Sequence, residues 1–156
     1  MARIKRADTK PERQLRSMLH RLGYRFRVQL RGVPGRPDIA FPARKVAIMV
    51  HGCFWHAHGC PEFRLPTTRP EFWQRKFDAN KERDARLKAA AERAGWTCAV
   101  VWECELRNPT AVAEELVRLI GPPRLARHRR SVGIQTPTAP SSSRYGLSAG
   151  LRTGLG

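Results

Sequence analysis

The sequence predicts one mixed α/β domain, and three observations carry that expectation. Four segments show strand character and three show the period of an amphipathic helix. Three of the strands run consecutively before a long helix and a fourth strand. The 156 residues, 41% of them hydrophobic, suffice for one packed core. Such an order, α-β-β-β-α-β-α, implies a mixed sheet with helices on both faces.

The first helix opens at Thr9-Lys10-Pro11-Glu12, which has the form of a capping box; Leu15, Met18, Leu19 and Leu22 follow at i, i+3, i+4 and i+7, and Gly23 ends it. Tyr24 to Leu30 then alternates Tyr24, Phe26, Val28 and Leu30 with Arg25, Arg27 and Gln29, the period of a half-buried strand. Gly32, Pro34 and Gly35 close it. A second strand covers Pro37 to Phe41 and a third Lys45 to Val50, the most apolar and therefore central. Thr68-Arg69-Pro70-Glu71 reads as a second capping box, opening a long charged helix with Trp73, Phe77, Leu87 and Ala91 roughly on one face. Gly95 stops it. Thr97 to Trp102 is the fourth strand, and Asn108-Pro109 starts a last helix with Val112, Leu116, Leu119 and Ile120 inward and Gly121 as its stop.

Thirty Lys and Arg against thirteen Asp and Glu leave a net charge of +17, so the expected partner is a polyanion, with nucleic acid the first candidate. From Pro122 onward there are six arginines, no acidic residue and a Pro/Ser/Thr/Gly-rich run. Residues 122–156 are therefore expected to form a basic disordered tail behind a folded domain of residues 1–121. The folded part alone keeps a net charge of +11. No stretch approaches the roughly 18 apolar residues of a membrane span, and the charged start has no signal-peptide character, so a cytoplasmic protein without a membrane partner is expected. Cysteines in that compartment are reduced thiols or metal ligands.

Their spacing favours ligands. His51-Gly52-Cys53-Phe54-Trp55-His56-Ala57-His58-Gly59-Cys60 concentrates two of the four cysteines and three of the five histidines. A tetrahedral zinc site needs four such donors; Cys53, His58 and Cys60 supply three, and Cys104 or Cys98 the fourth. Cys104, just past a strand end, is the better choice, because Cys98 lies within an apolar strand where a thiol acts as a small core residue. Phe54 and Trp55 cannot both face one core. Either they stack on bases or they cover the metal site.

Asp38 starts a strand, an awkward place for a carboxylate, and phosphodiester hydrolysis calls for a carboxylate to hold Mg²⁺ beside a base such as histidine. Asp38 and His51 fall at corresponding ends of neighbouring strands if these are antiparallel. Glu12 is explained by its place in the first capping box without any chemistry. A zinc-stabilised DNA-binding module without catalysis would share the charge, the zinc ligands and the aromatics; Asp38, His51 and His56 argue against it.

VPGRPDIAF at 33–41, HGCFWHAHGC at 51–60, TRPEFWQRKFDANKERD at 68–84 and GWTCAVVWECELR at 95–107 resemble the very-short-patch DNA mismatch-repair endonucleases. The resemblance covers the folded part. It implies a restriction-endonuclease-like α/β core that nicks the strand carrying T in a T:G mismatch of double-stranded DNA, with catalytic Mg²⁺ and structural Zn²⁺, as a monomer. It makes Asp38 the Mg²⁺ ligand with the Val50 backbone carbonyl, His51 and His56 the catalytic histidines, and Glu12 a helper. Cys53, His58, Cys60 and Cys104 match the zinc ligands, and Phe54, Trp55 and Met1 the residues that enter the duplex. This sequence departs at Val50, where some relatives have threonine, and in its short N-terminus, which leaves Met1 at the place of an internal methionine.

Overall fold

The computed structural model describes residues 7–123 of the chain. Met1, expected at the DNA, and all of the expected tail except Pro122 and Pro123 lie outside the described residues. The elements are α1 (Lys10–Arg21), β1 (Ile39–Phe41), β2 (Val46–His51), α2 (Pro70–Arg93), β3 (Thr97–Trp102) and α3 (Pro109–Ile120), with 3-10 turns at Pro42–Arg44 and Glu105–Arg107. The sheet order is β1-β2-β3, with β1 and β2 antiparallel and β2 and β3 parallel. The sheet is mixed, as expected, and β2 is central.

The strand expected over Tyr24 to Leu30 does not form. Its alternation holds only at the start, where Tyr24 and Phe26 reach the core and Arg27 exchanges two 2.8 Å backbone hydrogen bonds with Ala40. Val28 is 42% exposed, and Gln29 adopts a left-handed backbone with φ 49°, which ends any extended run. The observed order is therefore α-β-β-α-β-α. The β1 strand also starts at Ile39 rather than Pro37, leaving Asp38 just outside it.

The Glu12 carboxylate accepts bonds from Asp8 N (2.9 Å), Thr9 N (3.4 Å) and Thr9 Oγ1 (2.8 Å), tying down the start of α1. The second capping box is absent. Arg69, with φ 55° and no capping side chain, precedes the helix, and Pro70 opens it at the one position where the missing N–H is no loss.

Alternation along β1 and β2 sorts the two faces. Ile39, Phe41, Val46 and Ile48 pack with Leu15 and Leu19 of α1 and Leu116 and Ile120 of α3. Ala40 and Ala47 face the other way, where Ala91 of α2 and Trp96 lie against them. Helices thus cover both faces, and small residues let α2 approach the sheet closely. None of the described helices is long and apolar enough to cross a membrane.

Arg44 closes the fold. Its Nη1 donates to Ile120 O (2.6 Å) and Gly121 O (2.8 Å), its Nη2 donates to Pro122 O (2.6 Å), and Tyr24 Oη donates to Gly121 O (2.6 Å). These donors satisfy carbonyls that the end of α3 leaves without helical partners. Arg44→Ala is expected to destabilise the fold by roughly 2 kcal/mol and Tyr24→Phe by about 1 kcal/mol, measured by urea unfolding. Equal stability of Arg44→Ala and wild type contradicts this account of the clamp.

Candidate active site and metal cluster

The antiparallel register, Ile39 opposite Ile48, carries the residue before β1 to the last turn of β2. Asp38 Oδ2 there accepts the Val50 backbone N–H at 2.7 Å, and Oδ1 accepts Gln29 Nε2 at 2.8 Å. A strand residue points its N–H and C=O to the same side, so the Val50 carbonyl faces the same edge as Asp38. Burial, above all, pushes the Asp38 carboxyl up to about 6; the Val50 hydrogen bond opposes this, the Glu12 charge adds to it, and Gln29 and Arg16 oppose it. Glu12 is thus an electrostatic neighbour of Asp38 although its own oxygens are engaged at the α1 start.

His51 ends β2 and stacks on His56, with ring centroids 3.9 Å apart and planes 2° from parallel. His56 Nδ1 lies 2.7 Å from Asp84 Oδ2, and that buried oxygen has no other donor. Burial, then the neighbouring His56, brings His51 down to about 4; burial also lowers His56 against the opposing pull of Asp84. His51 is therefore neutral at pH 7, and His56, with Nδ1 against Asp84, has its other ring nitrogen available to accept a proton.

Asp84 was not among the sequence candidates. It sits on α2 four residues after Asn80, whose Nδ2 holds Trp55 O at 2.9 Å. Phe77, Asn80, Asp84, Leu87 and Ala91 share one helix face by spacing, so two polar residues interrupt an otherwise apolar stripe. That interruption was the readable signal.

Ala57, a non-glycine residue at φ 45°, separates His56 from His58 and sends the two rings to different places. The ligand atoms of Cys53, His58, Cys60 and Cys104 all lie within 4.8 Å of one another, and His58 Nδ1 is 3.5 Å from Cys104 Sγ. Sulfurs around one tetrahedral ion stand ~3.8 Å apart, so the cluster can close around a metal. Burial pushes the Cys53 thiol up to about 12, a preference that a bound divalent cation reverses. Cys98 lies elsewhere, its Sγ 4.0 Å from Trp96 O. The sequence also gave no sign of Trp102, which stacks on His58 (4.0 Å, 4°) and turns its edge to His51 and His56.

Phe54 and Trp55 are both half-buried and meet edge to face at 5.1 Å. They pack on α2, Phe54 against Trp73 and the fully buried Phe77, and Trp55 against Trp73. Trp73 thus joins the pair, a role its helical spacing alone did not single out.

Asp38, His51, His56 and Asp84 line one cavity of about 570 Å³, and the exposed Arg36, Lys81, Arg83 and Lys88 also line it. Acidic and imidazole groups inside a basic surround suit a phosphate backbone.

Two outcomes are expected. Cys104→Ser lowers bound metal, by elemental analysis, and the melting temperature, whereas Cys98→Ser keeps the metal; full metal content in Cys104→Ser overturns the ligand set. For Asp38, a folded pKa near 6 lies above the unfolded value, so its contribution to stability is present below about pH 4 and lost as pH rises through 6. In Mg²⁺-free buffer, Asp38→Asn is therefore expected to be more stable than wild type at pH 7 by roughly 1–3 kcal/mol, with the gain vanishing near pH 4. A pH-independent difference contradicts it.

Residues 1–62 match the family described as DNA mismatch endonuclease Vsr, a span that holds Asp38, His51, His56 and three of the four clustered ligands. The chain is 45% identical over 122 residues to the type II nicking enzyme V.XorIIP of Xanthomonas oryzae pv. oryzae, covering 78% of this chain and 90% of that one. It is 43% identical over 115 residues to DNA mismatch endonuclease Vsr of Escherichia coli strain K12, 74% of each chain. With the type II nicking enzyme V.NmeAIP of Neisseria meningitidis it shares 38% identity over 120 residues, 77% of this chain and 86% of that one. Identity at this level over most of each partner, together with the family match over the segment that carries Asp38, His51 and His56, means that the chain belongs to the Vsr family of DNA mismatch endonucleases.

Proposed function

We propose that this protein nicks one strand of duplex DNA beside a T:G mismatch, using Mg²⁺ held at Asp38, with Zn²⁺ in the cysteine–histidine cluster. The observation that carries this reading is the convergence on one basic-lined cavity of a carboxylate fixed by a strand amide and a histidine backed by a second carboxylate. Asp38 and the Val50 carbonyl offer the hard oxygen donors that Mg²⁺ prefers. Mg²⁺ bound there supplies Lewis acidity toward a phosphoryl oxygen and a water.

The chain's own groups do the rest. His56 takes a proton at Nε2, and Asp84 against Nδ1 stabilises the cation that results. His51, stacked on His56 and held neutral, is placed to contact the phosphate. Glu12 adds negative charge near Asp38. Arg36, Lys81, Arg83 and Lys88 hold neighbouring phosphates. Four protein ligands leave a zinc ion no open position, so that site is structural and pins the loop to the end of β3. Phe54 and Trp55, supported by Trp73, offer an aromatic platform for the weakly stacked wobble pair, and the resemblance gives Met1 a matching wedge from outside the described residues.

A second reading, a nicking enzyme of different mismatch or sequence preference, is favoured by relatives such as V.XorIIP that are described as type II nicking enzymes.

The test is nicking of T:G and matched duplexes in Mg²⁺, beside duplex binding in Ca²⁺. Asp38→Asn is expected to bind T:G duplex as well as wild type or better while nicking falls by orders of magnitude; His56→Ala is expected to lose about 100-fold or more. Equal nicking of matched and mismatched duplexes supports the second reading. Wild type that binds T:G duplex without ever nicking it, in Mg²⁺ or Mn²⁺, overturns the proposal in favour of a binding module.

A further inference from the structure

The break in the expected strand at Gln29 and the fixing of Asp38 are one feature. An isolated antiparallel bridge at Arg27 and Ala40 shows the chain beginning to pair with β1. Two residues later the backbone turns left-handed, φ 49° at Gln29, a conformation uncommon for a side-chain-bearing residue outside the Asn and Asp class. Non-glycine residues hold such a conformation when surrounding contacts fix it, and they cluster at functional sites. Here the contact is plain: the half-buried Gln29 side chain places Nε2 2.8 Å from Asp38 Oδ1 and lines the cavity.

We propose that Gln29 is a positioning residue that orients the Asp38 carboxylate for a divalent cation. A single donor would act as a pivot. The Val50 N–H holds only Oδ2, and because the carboxylate's torsion about Cβ–Cγ is broad, that one contact leaves its plane loosely set. Gln29, coming from a different segment, holds the other oxygen and fixes the plane, leaving the second lone pair of each oxygen for the cavity. An amide serves this better than a cation: Lys or Arg at this place would neutralise the charge that attracts the metal, whereas Gln donates without competing. The pattern Gln29-Leu30-Arg31-Gly32 then leads away through a turn, so forgoing the strand is the local consequence of delivering this side chain.

This inference rests on the reading of Asp38 as the Mg²⁺ ligand, and the test separates the two. Gln29→Gly removes the amide while suiting the left-handed backbone, and Gln29→Asn tolerates that backbone but lacks the methylene needed to reach Asp38. Mn²⁺ binding to the zinc-loaded protein without DNA is measured by calorimetry, beside melting temperature and the Mg²⁺ dependence of nicking on T:G duplex. Both variants are expected to melt near wild type and to bind Mn²⁺ about 10-fold more weakly, the effect of losing a group that orients a metal ligand. The Mg²⁺ needed for half-maximal nicking is expected to rise correspondingly, while the rate at saturating Mg²⁺ stays close to wild type. A purely structural Gln29 would instead lower the melting temperature and leave Mn²⁺ affinity intact. Wild-type Mn²⁺ affinity in both Gln29 variants, with Asp38→Asn unable to bind Mn²⁺ or nick, overturns the inference and leaves the Asp38 reading standing. Asp38→Asn that binds Mn²⁺ and nicks like wild type overturns the Asp38 reading itself.

Discussion

The register between β1 and β2 is the constraint on which the site depends. With Ile39 opposite Ile48, Asp38 meets the Val50 amide; a slip of one residue would move the carboxylate off that amide and exchange the two faces of the strand. Packing prevents the slip. Large residues at Ile39, Phe41, Val46 and Ile48 fill the α1–α3 side, while Ala40 and Ala47 admit Ala91 of α2 on the other, so exchanging the faces would overfill one layer and hollow the other. The apolar pattern that folds the sheet thereby also sets the position of its chemically important carboxylate.

The second half of the site comes from one loop with two duties. His51 and His56 face the cavity, whereas Cys53 and Cys60 gather with His58, which also lines the cavity, around Cys104 just beyond β3. Ala57 makes the division possible by its left-handed backbone, and Trp102 sits at the boundary, its face on His58 and its edge toward the stacked pair. The α2 helix closes the arrangement from outside, Asn80 holding the Trp55 carbonyl and Asp84 the His56 ring. A metal in the cysteine–histidine cluster would therefore fix the far side of a loop whose near side carries the imidazoles, linking folding to chemistry.

What the sequence disclosed follows the range of the forces involved. Helices α1, α2 and α3 and strands β1, β2 and β3 were legible because their apolar spacing is local, and the loop from His51 to Cys60 was legible because its donors are close in the chain. Asp38 stood out as a carboxylate at a strand start. Gln29 was hidden by its own neighbours: the alternation from Tyr24 onward satisfies the strand pattern, and only a partner nine residues away turns it out. The Thr68 box failed because Pro70 already starts α2 without a cap. Asp84 and Trp102 act through contacts across separate elements, which period and spacing do not encode; the resemblance reached their segments without assigning them a task.

Two groups of donors among the described residues could compete for a catalytic divalent ion: the Asp38 carboxylate with the Val50 backbone carbonyl, and the His51, His56 and Asp84 trio, whose ligand atoms lie within 4.8 Å of one another. Anomalous scattering from crystals of the protein with Mn²⁺ and a T:G duplex decides between them. A manganese peak is expected at coordination distance from an Asp38 oxygen, with His56 unligated and still against Asp84. A peak bound instead by His51, His56 and Asp84, with Asp38 empty, would contradict it.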